Sequence, residues 1–152
     1  MNAVTKTVLT SGAFDLIHYG HIRLLEEAKR LGGPDARLVV IIARDETIKR
    51  LKGKRPTFPE DQRRALVEAL APVDEALLGY EDLDMATVIE KVKPDVIAVG
   101  YDQDDIELMA QRIIEEQCLD IEVHRLEKFV KKDLDSSSKI KRKIVEDLRS
   151  YY

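Results

Sequence analysis

Ser11-Gly12-Ala13-Phe14-Asp15-Leu16-Ile17-His18-Tyr19-Gly20-His21 sets a glycine, an aromatic, an acid and two histidines three apart between an apolar run and an amphipathic one. Ahead of it, Thr7-Val8-Leu9-Thr10 is β-branched and apolar, which predicts a short buried strand. Behind it, Leu24, Leu25, Ala28 and Leu31 recur at helical spacing. The stretch is therefore a strand-to-helix junction, and in a parallel sheet that junction lies at the carboxyl ends of the strands, where open α/β folds bind their ligands. Gly12 permits a tight turn or a close backbone approach, and a helix start offers unpaired N–H groups, which together favour a phosphate. His18 and His21, at i and i+3, share one face and can donate hydrogen bonds to oxygens on a phosphorus centre as negative charge builds there. Two alternatives remain open: a metal site, poor without a third ligand at metal-site spacing, and a pair of histidines that only caps and packs.

Outward from the junction, Gly32-Gly33-Pro34-Asp35 ends the first helix, and Leu38-Val39-Val40-Ile41-Ile42 is a continuous apolar run suited to a strand covered on both faces. Strand, helix, strand implies a right-handed parallel crossover. After Asp45 a short helical piece leads into Lys49-Arg50-Leu51-Lys52-Gly53-Lys54-Arg55-Pro56, five cations in a glycine- and proline-containing loop. Beside the junction, this cluster reads as a triphosphate-binding loop; a merely solvated face is the alternative. Thr57-Phe58-Pro59-Glu60 reads as a capping box for a helix to about Ala71, with Leu66, Val67 and Leu70 facing inward.

Val73 to Leu78 gives a third strand, and Asp84 caps a helix from Met85 to Val92. Val96-Ile97-Ala98-Val99 is a fourth strand that delivers Gly100-Tyr101-Asp102-Gln103 to the same edge, where acid and amide offer partners for a ribose or a base edge. Asp102 has a second reading, as the cap of a helix from about Asp104 to Gln117. Ile121 to Arg125 alternates like an edge strand, and His124 is assigned no chemistry. Near the end, Lys128, Lys131 and Lys132 precede Ser136-Ser137-Ser138 and an amphipathic helix carrying Ile140, Ile144, Val145 and Leu148. Three serines at a helix start supply hydroxyls beside free amides, which suits an anion.

With 152 residues, 44% hydrophobic and 36% charged, the chain fits one domain over residues 1–152 with a sizeable core. A net charge of -4 argues against general nucleic-acid binding, and no apolar run or leader signals membrane insertion or secretion. Cys118 stands alone, so no internal disulfide forms; a reducing cytoplasm and a packed helix position are expected. The expected fold is a Rossmann-like open parallel α/β sheet of about five strands with helices on both faces.

The run Gly12-Ala13-Phe14-Asp15-Leu16-Ile17-His18-Tyr19-Gly20-His21 resembles the G-T-F-D-x-x-H-x-G-H signature of the cytidylyltransferase-like nucleotidyltransferases, the HxGH type, with Ala13 in place of the usual threonine. The resemblance implies transfer of a nucleoside monophosphate from a triphosphate to a phosphate-bearing acceptor, with release of pyrophosphate. It implies nucleotide contacts along Gly12, Ala13, Phe14, Asp15, Tyr19 and Gly20, with His18 and His21 catalytic. Lys52 and Lys54 resemble the family's paired lysines on the triphosphate, Lys54 acting in catalysis. Arg63 resembles an arginine of the family's following helix that stabilises the loop or contacts phosphate; site contact and surface ion pair stay equally open. Ser136, Ser137 and Ser138 resemble the second signature, without its arginine-threonine-x-glycine lead, and Gly100, Asp102 and Gln103 complete the nucleotide site.

Among branches of the family, Ala43-Arg44-Asp45-Glu46-Thr47, Pro59 to Arg64 and Gly100 to Gln103 look most like the small archaeal-type FAD synthases, which adenylylate FMN from ATP. Glycerol-3-phosphate cytidylyltransferase is the near rival, though it typically carries a tryptophan after the fourth strand and this chain has none. Phosphopantetheine adenylyltransferase is a third branch, and a catalytically idle nucleotide-binding module is the alternative of another class. The resemblance also implies a homodimer. A divalent cation, Mg2+ in the simplest case, is expected to ride on the triphosphate, with no metal ligands assigned to the chain.

Overall fold

The computed structural model describes residues 4–81, 84–130 and 134–152; Lys131, Lys132 and the start of the lead-in lie outside them. Its elements in chain order are β1 (Thr7–Gly12), α1 (Tyr19–Arg30), β2 (Arg37–Ile42), α2 (Asp45–Lys52), α3 (Glu60–Glu68), β3 (Glu75–Leu78), α4 (Met85–Val92), β4 (Val96–Val99), α5 (Asp104–Glu116), β5 (Glu122–Arg125) and α6 (Ser137–Arg149). The strands form one sheet in the order β3-β2-β1-β4-β5, and every pairing is parallel. The first three strands step in one direction from β1, and β4 then returns to its other side. Between β1 and β4 the loops diverge and open a crevice, the topological switch point of a doubly wound sheet.

Alternation along the strands divides the core into two layers. Val8, Leu38, Val40, Val96 and Ala98 face Leu25 and Ala28 of α1 and Val67 of α3. Leu9, Val39, Ile41, Ile97 and Val99 face Val88 and Ile89 of α4 and Ala110 of α5. The continuous apolar run of β2 is thus explained, since both of its faces are covered. No described helix is long and apolar enough to cross a membrane.

Several local expectations are corrected. β1 runs through Gly12, two residues into the junction, and β3 begins at Glu75 because the Asp74 carboxylate accepts the Leu38 N–H (2.7 Å) before the ladder starts. The helix α2 continues through Lys52 and is ended by Gly53 in the left-handed region (φ 76°), so Lys49, Arg50 and Lys52 belong to its last turn and only Lys54 and Arg55 lie in the loop. No capping box forms at Thr57: Pro59 is the N-cap and makes no side-chain cap bond, while the Thr57 and Phe58 amides go to Asp15. α3 ends at Glu68, and Leu66 is exposed rather than inward-facing. Cys118 sits just past α5 and is exposed, not packed. Helix α6 buries none of its residues, leaving Ile144, Val145 and Leu148 in solvent.

Candidate active site

The loop leaving β1 is bent hard. Phe14 (φ 50°) and Leu16 (φ 48°) both take left-handed backbone, costly for residues with large side chains. A Cβ on Gly12 would come within 2.8 Å of the Phe14 ring, so the return of that ring over the strand end requires glycine. The loop is held from outside. Asp15 is buried, and its carboxylate accepts the N–H groups of Thr57 (2.7 Å) and Phe58 (2.9 Å). Burial, the largest influence, raises its pKa, but these two bonds together with the Thr57 side chain and the charge of Lys141 outweigh it and hold the carboxyl below its ordinary range. The hydroxyl of Ser137, at the start of α6, donates to the Asp15 carbonyl, and Lys141 Nζ lies 3.9 Å from its carboxylate.

Arg63 does the same for the neighbouring strand ends. Its side chain is wholly buried and donates to the carbonyls of Phe58 (2.9 Å), Ala13 (2.7 Å) and Ala43 (2.8 Å) and to Asp45 Oδ1 (2.7 Å). The planar five-donor guanidinium suits such a junction, which an ammonium cannot reproduce. Arg63 is therefore no surface ion pair; it stands outside the cleft lining and takes the loop-stabilising role that the resemblance implied. It pins the loops after β1 and β2 to one another.

The two histidines meet at the start of α1. His18 is the N-cap residue, and its N–H donates to Nδ1 of His21 (3.3 Å). Accepting there, His21 carries its proton on Nε2 when neutral. The rings stack with centroids 3.8 Å apart, and Phe14 tilts against His21 at 5.2 Å. A Cβ on Gly20 would fall 2.9 Å from the His18 ring, which is why glycine stands between them. Burial, reinforced by the neighbouring His18, drives the His21 pKa down to about 3. Burial also lowers His18, against the opposing pull of Asp135. Asp135 is itself clamped by Lys139 (2.7 Å) and Lys128 (2.9 Å), which hold its carboxyl down at about 2.

A cleft of about 690 Å³ opens over these residues at the strand ends. Gly12, Ala13, Phe14, Asp15 and His21 form its floor, Lys52 and Lys54 one wall, and Ser137 and Ser138 another. Gly100, Asp102 and Gln103 border it from β4. His18, Tyr19, Gly20, Arg63 and Ser136 stand outside the lining. Tyr19 points into solvent, and Ser136 is occupied as the N-cap of α6, accepting the Lys139 N–H. Gln103 has both ends of its amide committed: Oε1 accepts from Gly100 N–H (2.7 Å) and Nε2 donates to Ser11 O (3.0 Å). It ties β1 to β4 at the switch point rather than offering a free edge, and it is also the N-cap of α5, a place Asp102 does not take. Two cations on the lining were not singled out from sequence. Arg44 donates to Gly79 O (2.7 Å) and pairs with Glu60 (3.0 Å), and Lys141 sits one helical turn beyond Ser137, an i, i+4 spacing that carried the signal.

Chemically, the cleft offers neutral imidazole and hydroxyl donors on a rigid floor and mobile ammonium groups at its edge. This suits a polyanion whose charge shifts during reaction. Among the described residues no group of three or more His, Cys, Asp or Glu is placed to hold a metal ion.

Comparison with known proteins agrees with the geometry. A FAD synthase of Methanopyrus kandleri is 45% identical over 141 residues, covering 93% of each chain. One from Ferroglobus placidus is 48% identical over 140 residues, covering 92% of this chain and 88% of that one. Among solved structures, a lipopolysaccharide core biosynthesis protein of Thermoplasma volcanium superposes with a TM-score of 0.74 at 41% identity, covering 84% of this chain and all of the other. The cytidylyltransferase-like family model matches residues 9–143, from β1 through the middle of α6. With the histidine pair, the bent glycine loop and the switch-point cleft all inside that span, the chain belongs to the cytidylyltransferase-like family.

Proposed function

We propose that the cleft transfers the AMP unit of ATP to FMN, giving FAD and pyrophosphate. The observation that carries this reading is the His18–His21 stack, rigid, neutral and set with His21 on the cleft floor between the lysine wall and the start of α6. The acceptor comes from the relatives, several of which are FAD synthases at 43 to 48% identity over about nine-tenths of the chain. In-line attack by an FMN phosphate oxygen forms the new O–Pα bond as the bond to the β-phosphate oxygen breaks and pyrophosphate leaves. His21, donating from Nε2, steadies the α-phosphate oxygens as their charge grows, and His18 backs its ring by stacking on it. Lys52 and Lys54 neutralise the β- and γ-phosphates; Ser138 and the amides opening α6 meet the chain from the opposite wall. Gly100 and Asp102 border the nucleoside. A divalent cation, Mg2+ in the simplest case, would arrive with ATP and supply neutralisation of the triphosphate charge, with no residue of the chain assigned to hold it.

A reducing cytoplasm suits this chemistry and the single exposed cysteine. A homodimer is supported by the unpartnered apolar face of α6, and light scattering in solution reads it directly. The decisive assay offers ATP or CTP, with magnesium, against FMN or glycerol 3-phosphate. FAD with pyrophosphate from the first pair is expected. A CDP-alcohol product overturns the acceptor assignment, and no pyrophosphate from any pair overturns catalysis itself.

A further inference from the structure

The cleft is not uniform along its length. Its lysines, Lys52, Lys54 and Lys141, gather at the end where α2 and α6 meet the histidine loop, while its two arginines are already paired, Arg44 with Glu60 and the Gly79 carbonyl and Arg55 with Glu46. The opposite end, between α4 and α5, is walled by Tyr80, Met85, Val88, Ile106 and Met109. The acids there are Asp84, Asp105 and Asp104, the last paired with Arg125 (2.6 Å). A phosphate is repelled from such an end, whereas an uncharged flat ring is accepted. Part of this wall does no work for the fold: Met109 is half-buried on the cleft yet joins neither core layer, and Tyr80 stays 42% exposed. Unbranched thioethers beside an open aromatic make an adaptable surface for a broad ring.

Two ring systems compete for this end. Adenine carries hydrogen-bonding nitrogens on every edge, and seating it against methionine and isoleucine leaves several of them without partners. The benzenoid edge of a flavin carries two methyl groups and no hydrogen-bonding atom. We infer that the apolar end of the cleft between α4 and α5 seats the benzenoid edge of the FMN ring, with Met85 and Met109 as residues that select this acceptor over smaller phosphate esters. The inference rests on the FMN reading above and adds where the ring lies and what recognises it.

The test replaces each thioether with an amide of similar length, Met85→Gln and Met109→Gln, with Met109→Leu as the volume-conserving control. The KM for FMN is expected to rise about tenfold in each Gln variant with the KM for ATP unchanged, because an unsatisfied amide faces the ring edge. Quenching of FMN fluorescence on titration with protein alone should weaken by the same factor, and Met109→Leu, which keeps an apolar contact of similar volume, should shift it several-fold less than Met109→Gln. The unchanged KM for ATP shows that the fold and the phosphate end are intact. A shift in the KM for ATP instead assigns this end to adenine and overturns the inference, as does no shift in either constant. If the unsubstituted enzyme makes no FAD, the FMN reading falls and this inference with it; if it makes FAD and the Gln variants match it, only the inference falls.

Discussion

Arg63 and Lys54 are both cations at the carboxyl edge of the sheet, yet they are used in opposite ways. Arg63 is sealed and saturated, bonded to three carbonyls and one carboxylate. Lys54 is exposed on the cleft wall, and among the described residues no ion pair holds it. A cation whose donors are all taken fixes backbone geometry and has nothing left for a ligand. One left in water keeps its charge available and remains free to follow a moving phosphate. His21 stands between them, half-buried on the cleft floor with one nitrogen committed and the other free.

Removing the saturated cation is the strongest challenge to this division. Arg63→Ala strips Asp45 of its partner and leaves buried carbonyls unbonded, so it should cost about 3–5 kcal/mol of stability, read from the denaturant midpoint, with Arg63→Lys recovering only part. A loss near zero would mean that Arg63 is not a strut at all.

The intermediate case is tested by pH. The His21 pKa is about 3 in the folded protein against 6.5 for the free side chain. Between those values the unfolded chain binds a proton that the folded one refuses, so this contribution is complete above pH 6.5 and is lost as pH falls toward 3. At pH 5 the difference approaches about 2 kcal/mol. His21→Gln keeps an acceptor for the His18 N–H but takes up no proton, so its stability should fall less than that of the parent between pH 7 and pH 5. Asp15 and Asp74, also held low, titrate alike in both proteins and cancel. Equal slopes would remove His21 from the account.

The smallest effect is expected at the free cation. Lys54→Ala should leave the melting temperature unchanged while the KM for ATP rises about tenfold, or ~1.4 kcal/mol. Destabilisation without a kinetic effect would erase the contrast with Arg63.

Elements built on local pattern were legible in the sequence. The apolar runs of β1, β2 and β4, the spacing in α1 and the Asp84 cap each depend on neighbours close in the chain. Features decided by distant partners were not. Thr57 to Glu60 has the composition of a capping box, but Asp15 takes the Thr57 and Phe58 amides, and Glu60 accepts from Asp45 N–H (2.7 Å) instead. The lysine loop was misplaced although its signal was present, since Gly53 is the natural end of a helix that contains Lys52. Arg63 lies four residues from buried Val67 on the same helical face, a spacing that marks it as inward-facing once a cation is allowed there. The spacing of the histidine pair brought the two rings together, but not both onto the cleft: that His18 stacks behind His21 required coordinates.

The bond from Ser137 to the Asp15 carbonyl closes a loop of 122 residues. During translation Asp15 emerges from the ribosome early, while the serine that bonds its carbonyl emerges only near the end of synthesis. The five strands are all made before that serine, so the sheet can close ahead of this brace, and the loop after β1 is among the last parts of the fold to be fully tied down.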